Sequence, residues 1–158
     1  MKNILKKAGY TFDEQTGIWE NPGFSGIAYS DGDEVEQRLA KVIADAADLS
    51  VLSDELKQHI IDWPSHYHLS SSRANILRPF AHHLAGAEVL EIGAGCGAIT
   101  RYLGEIGAHV LALEGSKRRA AIARARTRDL PQIQVLAESF DGFQSDARFD
   151  VITLIGVL

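Results

Sequence analysis

The chain has 158 residues, enough for one ordinary domain and too few for two comfortable ones. With 46% hydrophobic and 23% charged residues its composition is globular, and no apolar run is long enough to span a bilayer. A formal net charge of −5 argues against a nucleic-acid backbone as the main partner. The single cysteine, Cys96, excludes an intrachain disulfide and fits a reducing cytoplasm, and the opening Met1 to Lys7 lacks the apolar core of a secretory signal.

The first half, about residues 1–85, has a mixed pattern that predicts an α+β cap. Short extended segments are expected at 10–12, 17–19 and 26–29, between Asp, Gly, Asn and Pro. Asp31 followed three residues later by Glu34 has the form of a capping box. Val35, Leu39, Val42, Ile43 and Ala46 then mark one face of a helix to about Ala47. Ser53 is expected to cap a shorter helix carrying Leu56, Ile60 and Ile61, and a third helical stretch is expected over 71–84, with a kink or break at Pro79. The region is either a substrate lid or a packed cap, and Trp19, Phe24, Tyr29 and Trp63 read as core aromatics.

From residue 86 the pattern alternates. Strands are expected at 88–92, 109–113, 133–137 and 149–155, with helices at 98–106 and 116–129. Such alternation implies right-handed βαβ units: an incomplete doubly wound, Rossmann-like α/β domain whose four parallel strands lie in the order 3-2-1-4. Lys117, Arg118, Arg119, Arg124, Arg126 and Arg128 read as a solvated outer face of the second helix. The uncharged ending 151–158 reads as a buried strand leaving the sheet, so the chain is expected to be a fragment of a longer protein. Its fourth strand is then an exposed edge open to self-association.

The chemistry concentrates at 89–103. An apolar strand carrying Glu91 meets Gly93, Gly95 and Gly97, and a helix follows with Ile99, Tyr102, Leu103 and Ile106 on one face. This layout brings a ligand close to a helix N-terminus. An acid within a buried apolar strand is costly unless paired or functional, which singles out Glu91. Glu114, about twenty residues beyond Gly93, is an acceptor-only group suited to two vicinal ribose hydroxyls. Cys96 has no readable His–acid pair near it and is not expected to be a nucleophile. The six histidines show no metal-ligand spacing, so no metal site is expected.

Four segments together resemble the class I S-adenosylmethionine-dependent methyltransferases. They are Val-Leu-Glu-Ile-Gly-Ala-Gly-Cys-Gly at 89–97, Val-Leu-Ala-Leu-Glu-Gly-Ser at 110–116, Val-Leu-Ala-Glu-Ser-Phe at 135–140 and Phe-Asp-Val-Ile-Thr-Leu at 149–154. The resemblance implies S-adenosyl-L-methionine as cofactor and residues 86–158 as the first half of its binding domain. It implies that Gly93, Ala94, Gly95 and Gly97 form the loop, with Glu91 facing the methionine ammonium. Glu114, with Gly115 and Ser116, would hold the ribose; Glu138, Ser139 and Phe140 would meet the adenine. In the element before the first strand, Arg73 would hold the methionine carboxylate, with Tyr67 or His68 shaping the same end. Plain alternatives stand beside these roles: a solvated strand-end acid for Glu114, a cap of loop amides for Glu91, a turn for Glu138, and surface positions for Arg73 and Tyr67.

The implied activity is methyl transfer to a small-molecule, lipid or sugar acceptor, since the fourth strand does not end in Asn/Asp-Pro-Pro-aromatic. The run 67–75 resembles methyltransferase modules of bacterial surface-polysaccharide and glycosyltransferase proteins. No catalytic base is identifiable, and the fragment alone is expected to show little turnover. Two other classes remain. Gly93 to Ala98 formally satisfies the G-x-G-x-x-A loop of a dinucleotide-dependent oxidoreductase, and a non-catalytic cofactor-binding module would carry the same residues.

Overall fold

The computed structural model of the chain describes residues 1–28 and 30–157. Helix α1 (Lys2–Lys7) leads into two short strands, β1 (Thr11–Asp13) and β2 (Ile18–Glu20). Helices α2 (Asp33–Asp45), α3 (Asp54–Lys57) and α4 (Trp63–Leu69) follow. Two 3-10 turns, Ser71–Ile76 and Arg78–Phe80, pass through α5 (Ala81–Leu84) into β3 (Glu88–Ile92), α6 (Ala98–Glu105), β4 (His109–Glu114) and α7 (Lys117–Arg126). The last elements are β5 (Ile133–Ala137) and β6 (Val151–Leu154).

The strands form one sheet in the order β1-β2-β5-β4-β3-β6. Its parallel part, β5-β4-β3-β6, has the 3-2-1-4 order expected from the alternation. Side chains of alternate residues enter two cores. Val89, Val110, Ala112 and Val135 pack with Ile99 and Leu103 of α6 and Ala120 and Ala123 of α7. Leu90, Ile92, Leu111, Leu113 and Leu136 pack on the other face with Leu5 of α1 and Trp19 of β2. Burial on both faces explains why these strands read as near-continuous apolar runs.

The purely parallel sheet with a preceding cap needs correction. The 11–20 region is an antiparallel hairpin that joins the sheet, with β2 running parallel to β5 through Trp19↔Leu136 and Glu20↔Ala137. The sheet is therefore mixed and six-stranded. Trp19 drives the docking: it is buried, and its Nε1 donates to Gln134 Oε1 at 3.0 Å. The hairpin covers the edge that β5 would otherwise leave open. At the opposite edge β6 exposes Ile152 and Leu154.

Five local expectations also change. The region 71–84 is not one helix but 3-10 turns and a four-residue helix, since Pro79 has no N–H to donate. The 31–34 capping box does not form: Gly32 is the N-cap of α2 without a side-chain bond, because Asp31 is drawn to His68 and Arg119. Residues 26–28 form no strand, although Ile27 N–H donates to Gly115 O at 2.9 Å; Tyr29 lies outside the described residues. Of the aromatics taken as core, Trp19 is buried and Phe24 half-buried, whereas Trp63 is 72% exposed. Ser53 does cap α3, accepting from Leu56 N at 3.1 Å, but that helix ends before Ile60 and Ile61.

The basic face of α7 is only partly solvated. Helix α2 packs against it, and Arg119 and Arg126 are buried. Lys117 pairs with Glu20, Arg118 with Asp33, and Arg119 with Glu36. Arg124 donates to Ile133 O, Arg126 to His68 O, and Arg128 to Ala46 O. Most of these cations tie the N-terminal segment to the alternating half, while Arg118 and Arg128 stay exposed.

Candidate functional site

Three neighbouring strands, β3, β4 and β5, deliver an acid each to one end of the sheet. Glu91 stands one residue before the end of β3, Glu114 ends β4, and Glu138 follows β5 directly. The register Ile92↔Leu113 and Glu114↔Ala137 holds the strand ends level. Above them lies a cavity of about 600 Å³, within the usual range for small-molecule sites.

The glycine loop bends over β4 through hydrogen bonds from Gly93 N and Ala94 N to Leu113 O, at 2.8 and 3.0 Å. Gly97, at φ +79°, ends the loop as N-cap of α6. A Cβ there would stand 2.9 Å from Ala123 Cα, so this glycine lets α6 and α7 approach. It is the one predicted loop residue that does not line the cavity. Gly93, Ala94 and Gly95 do.

Glu114 is fixed at both oxygens: Oε2 accepts from Gly95 N at 2.7 Å and Oε1 from Ser116 N at 2.8 Å. Each oxygen keeps a lone pair for a ligand hydroxyl. Glu138 is fixed in a similar way, accepting from Ser139 N at 2.7 Å and from Asn21 Nδ2 at 2.5 Å. Phe140 beside it is 64% exposed at the cavity mouth, where Gly115, Ser116 and Ser139 also lie. Arg73 and Tyr67 form the opposite end, with the guanidinium 4.0 Å over the tyrosine ring. Twelve of the thirteen predicted ligand residues thus come together around one cavity, Gly97 being the exception.

Glu91 differs from the other two acids. It is buried, its Oε2 has no hydrogen-bond partner, and burial pushes its carboxyl up to about 8, with Thr100 and Arg73 opposing the shift. Arg73 Nε is likewise buried without a partner. Between about pH 4.5 and 8 the folded chain keeps the Glu91 proton while the unfolded chain has released it, so stability falls as pH rises through that window. Glu91→Gln is expected to flatten this slope in urea titrations run at about pH 5 and about pH 8. An unchanged slope would show that Glu91 is ionised in the fold.

The pattern of residues missed is instructive. Asp31, Trp63 and Arg119 also line the cavity beside the expected His68, and Asn21 holds Glu138 from the N-terminal hairpin. No local motif marks them, because each arrives through contacts distant in the chain. Cys96 is buried beneath the loop, where burial pushes its thiol up to about 12, as its non-nucleophilic reading requires. Among the described residues no group of three His, Cys, Asp or Glu side chains could hold a metal ion.

Residues 90–158 match a family model described as a methyltransferase domain. The matched stretch is less than half of the chain and is similar to methyltransferase domains; it carries the Rossmann-like parallel core, and S-adenosyl-L-methionine is the cofactor of that family. No curated protein matches the chain. Among solved structures, the protein arginine methyltransferase 10 of Arabidopsis thaliana is 25% identical over 61% of this chain and 30% of its own, at a TM-score of 0.48. A glycopeptide N-methyltransferase crystallised with sinefungin is 28% identical over 50% of this chain and 34% of its own, at 0.44. The phosphoethanolamine N-methyltransferase 1 of Haemonchus contortus is 22% identical over 75% of this chain and 24% of its own, at 0.47. The chain spans about a quarter to a third of the length of these three proteins.

Proposed function

We propose that the cavity binds S-adenosyl-L-methionine for methyl transfer to a small-molecule, lipid or sugar acceptor. One observation carries this reading: three strand-end acids and a glycine loop surround a single cavity, with Glu114 anchored by two backbone amides. Glu114 would hold the ribose hydroxyls, with Gly115 and Ser116 turning the chain beneath them. Glu138 would accept from the adenine amino group, Phe140 would cover the ring, and Arg73 would take the methionine carboxylate by a bidentate contact. The unpartnered Oε2 of Glu91 and Nε of Arg73 suit the ammonium and carboxylate of one amino-acid group.

When bound, the sulfonium supplies an electrophilic methyl group. The part of this chain is to orient it and exclude water. The basic residues of α7 are engaged within the fold by carboxylates and backbone carbonyls, which supports an acceptor other than RNA, and no helix among the described residues is long and apolar enough to cross a membrane. The likeness of residues 67–75 to surface-polysaccharide modules lies before the family match, which begins at residue 90, and draws no support from it. A dinucleotide oxidoreductase is the rival chemistry. Calorimetric titration is expected to show binding of S-adenosylhomocysteine and none of NADH; the reverse would overturn the proposal.

A further inference from the structure

His68 sits at the end of α4 and is only 2% exposed, yet it lines the cavity. Its Nε2 lies 2.8 Å from Asp31 Oδ2. Asp31 is itself fixed by Arg119 Nη2 at 2.6 Å, and Arg119 Nε reaches Glu36 at 2.8 Å. The backbone is also held, since Arg126 donates to His68 O. The ring therefore has no freedom to turn. Tyr67 packs edge-on to it, with ring centroids 5.1 Å apart.

The other ring nitrogen is different. Among the described residues nothing pairs with Nδ1, which lies 3.9 Å from where a Cβ on Gly95 would stand. Burial lowers the imidazole below its ordinary range, so the ring is neutral near pH 7. Asp31 is an acceptor, which places the single ring proton on Nε2 and leaves a lone pair on Nδ1 facing the loop. A rigidly held acceptor without a protein partner, open to the cavity beside a ligand loop, is placed to take a donor from the ligand.

We propose that His68 is a further cofactor-positioning residue, whose Nδ1 accepts a hydrogen bond from an N–H or O–H donor of bound S-adenosyl-L-methionine. This rests on the cofactor reading above. Two donors of the cofactor fit that chemistry near Gly95: the methionine ammonium and a ribose hydroxyl. Asp31 is the orienting group behind the ring, in the way that outer carboxylates fix histidine tautomers elsewhere.

Two variants separate this role from a structural one. In His68→Gln the side-chain amide reaches the Nε2 position and keeps the Asp31 bond, but the Nδ1 acceptor is gone. In His68→Asn the side-chain oxygen occupies the Nδ1 position, and the Asp31 bond is lost while Asp31 keeps Arg119. Calorimetric titration with S-adenosylhomocysteine is expected to show affinity about tenfold weaker for His68→Gln and near wild type for His68→Asn. Equal affinity of His68→Gln and wild type, or a greater loss in His68→Asn, would overturn the proposal. 5′-Methylthioadenosine, which keeps the ribose and lacks the amino-acid group, identifies the donor: a loss with S-adenosylhomocysteine alone assigns the ammonium, and an equal loss with both assigns the hydroxyl. In nitrogen-15 spectra of histidine-labelled wild type, the His68 Nδ1 resonance is expected to move on adding S-adenosylhomocysteine; an unmoved resonance counts against the proposal even if a variant fails to fold. Wild-type protein that binds neither compound would refute the cofactor reading itself, a different result from a wrong order of the variants.

Discussion

Glu114→Ala is expected to weaken S-adenosylhomocysteine binding by about 100-fold or more while leaving the sheet folded. The carboxylate would supply two charge-assisted hydrogen bonds to ribose hydroxyls, at about 1.5–3 kcal/mol each, or about 3–6 kcal/mol together. That corresponds to at least about two decades in Kd. The substitution also strands Gly95 N and Ser116 N, which Glu114 now accepts at 2.7 and 2.8 Å, so the loop loses the anchor that shapes it. Glu114→Gln tests the geometry more finely. Both oxygens of Glu114 accept from backbone N–H groups, and an amide NH2 would meet one of them donor to donor. Its affinity is therefore expected near that of Glu114→Ala. Calorimetry measures both, with circular dichroism as the check on folding. Binding within about threefold of wild type would remove Glu114 from the ribose site.

The second large effect concerns stability. Arg119→Met removes the guanidinium that holds Glu36 at 2.8 Å and Asp31 at 2.6 Å. Glu36 is 1% exposed, and breaking a buried ion pair from one side leaves an uncompensated charge. Arg118 remains 3.2 Å from the other Glu36 oxygen, but its side chain is 45% exposed and also serves Asp33. A loss of about 3 kcal/mol is expected from urea unfolding. Combining Arg119→Met with Glu36→Leu should recover most of it, because an apolar pair of similar volume needs no desolvated charge. A single substitution costing under about 1 kcal/mol would mean that water reaches Glu36 in the folded chain.

The two halves of the chain were unequally legible. From β3 to β5 the strands are buried on both faces and their apolar runs are nearly continuous, so those strands lie within a residue of expectation. The glycine loop and the acids were legible because their chemistry is local: an acid in an apolar strand and glycines before a helix stand out. The N-terminal half gave weaker signals. Strands of three residues, such as β1 and β2, carry too few positions for a period, and Trp19 reveals its place only through Leu136. Asp31 illustrates the same limit. Its spacing to Glu34 satisfied a local capping pattern, but His68 and Arg119 compete for the carboxylate and win. The basic run of α7 resembled a solvated face because pairing with α2 depends on contacts some eighty-five positions away, as between Arg118 and Asp33.

The pairing of β2 with β5 also bears on how the molecule assembles. Trp19 and Gln134 are 115 positions apart, and Asn21 and Glu138 are 117 apart. During synthesis the hairpin emerges early and must wait for β5, while β3, β4 and β5 meet neighbours close in sequence. Closing so long a loop carries a high entropic cost, which makes hairpin docking a late step in folding. Asn21 arrives with that step and completes the hydrogen bonding of Glu138. The Glu138 end of the cavity is thus finished late, and a ligand held there would favour chains that have completed the hairpin docking, acting as a thermodynamic latch on the N-terminal strand.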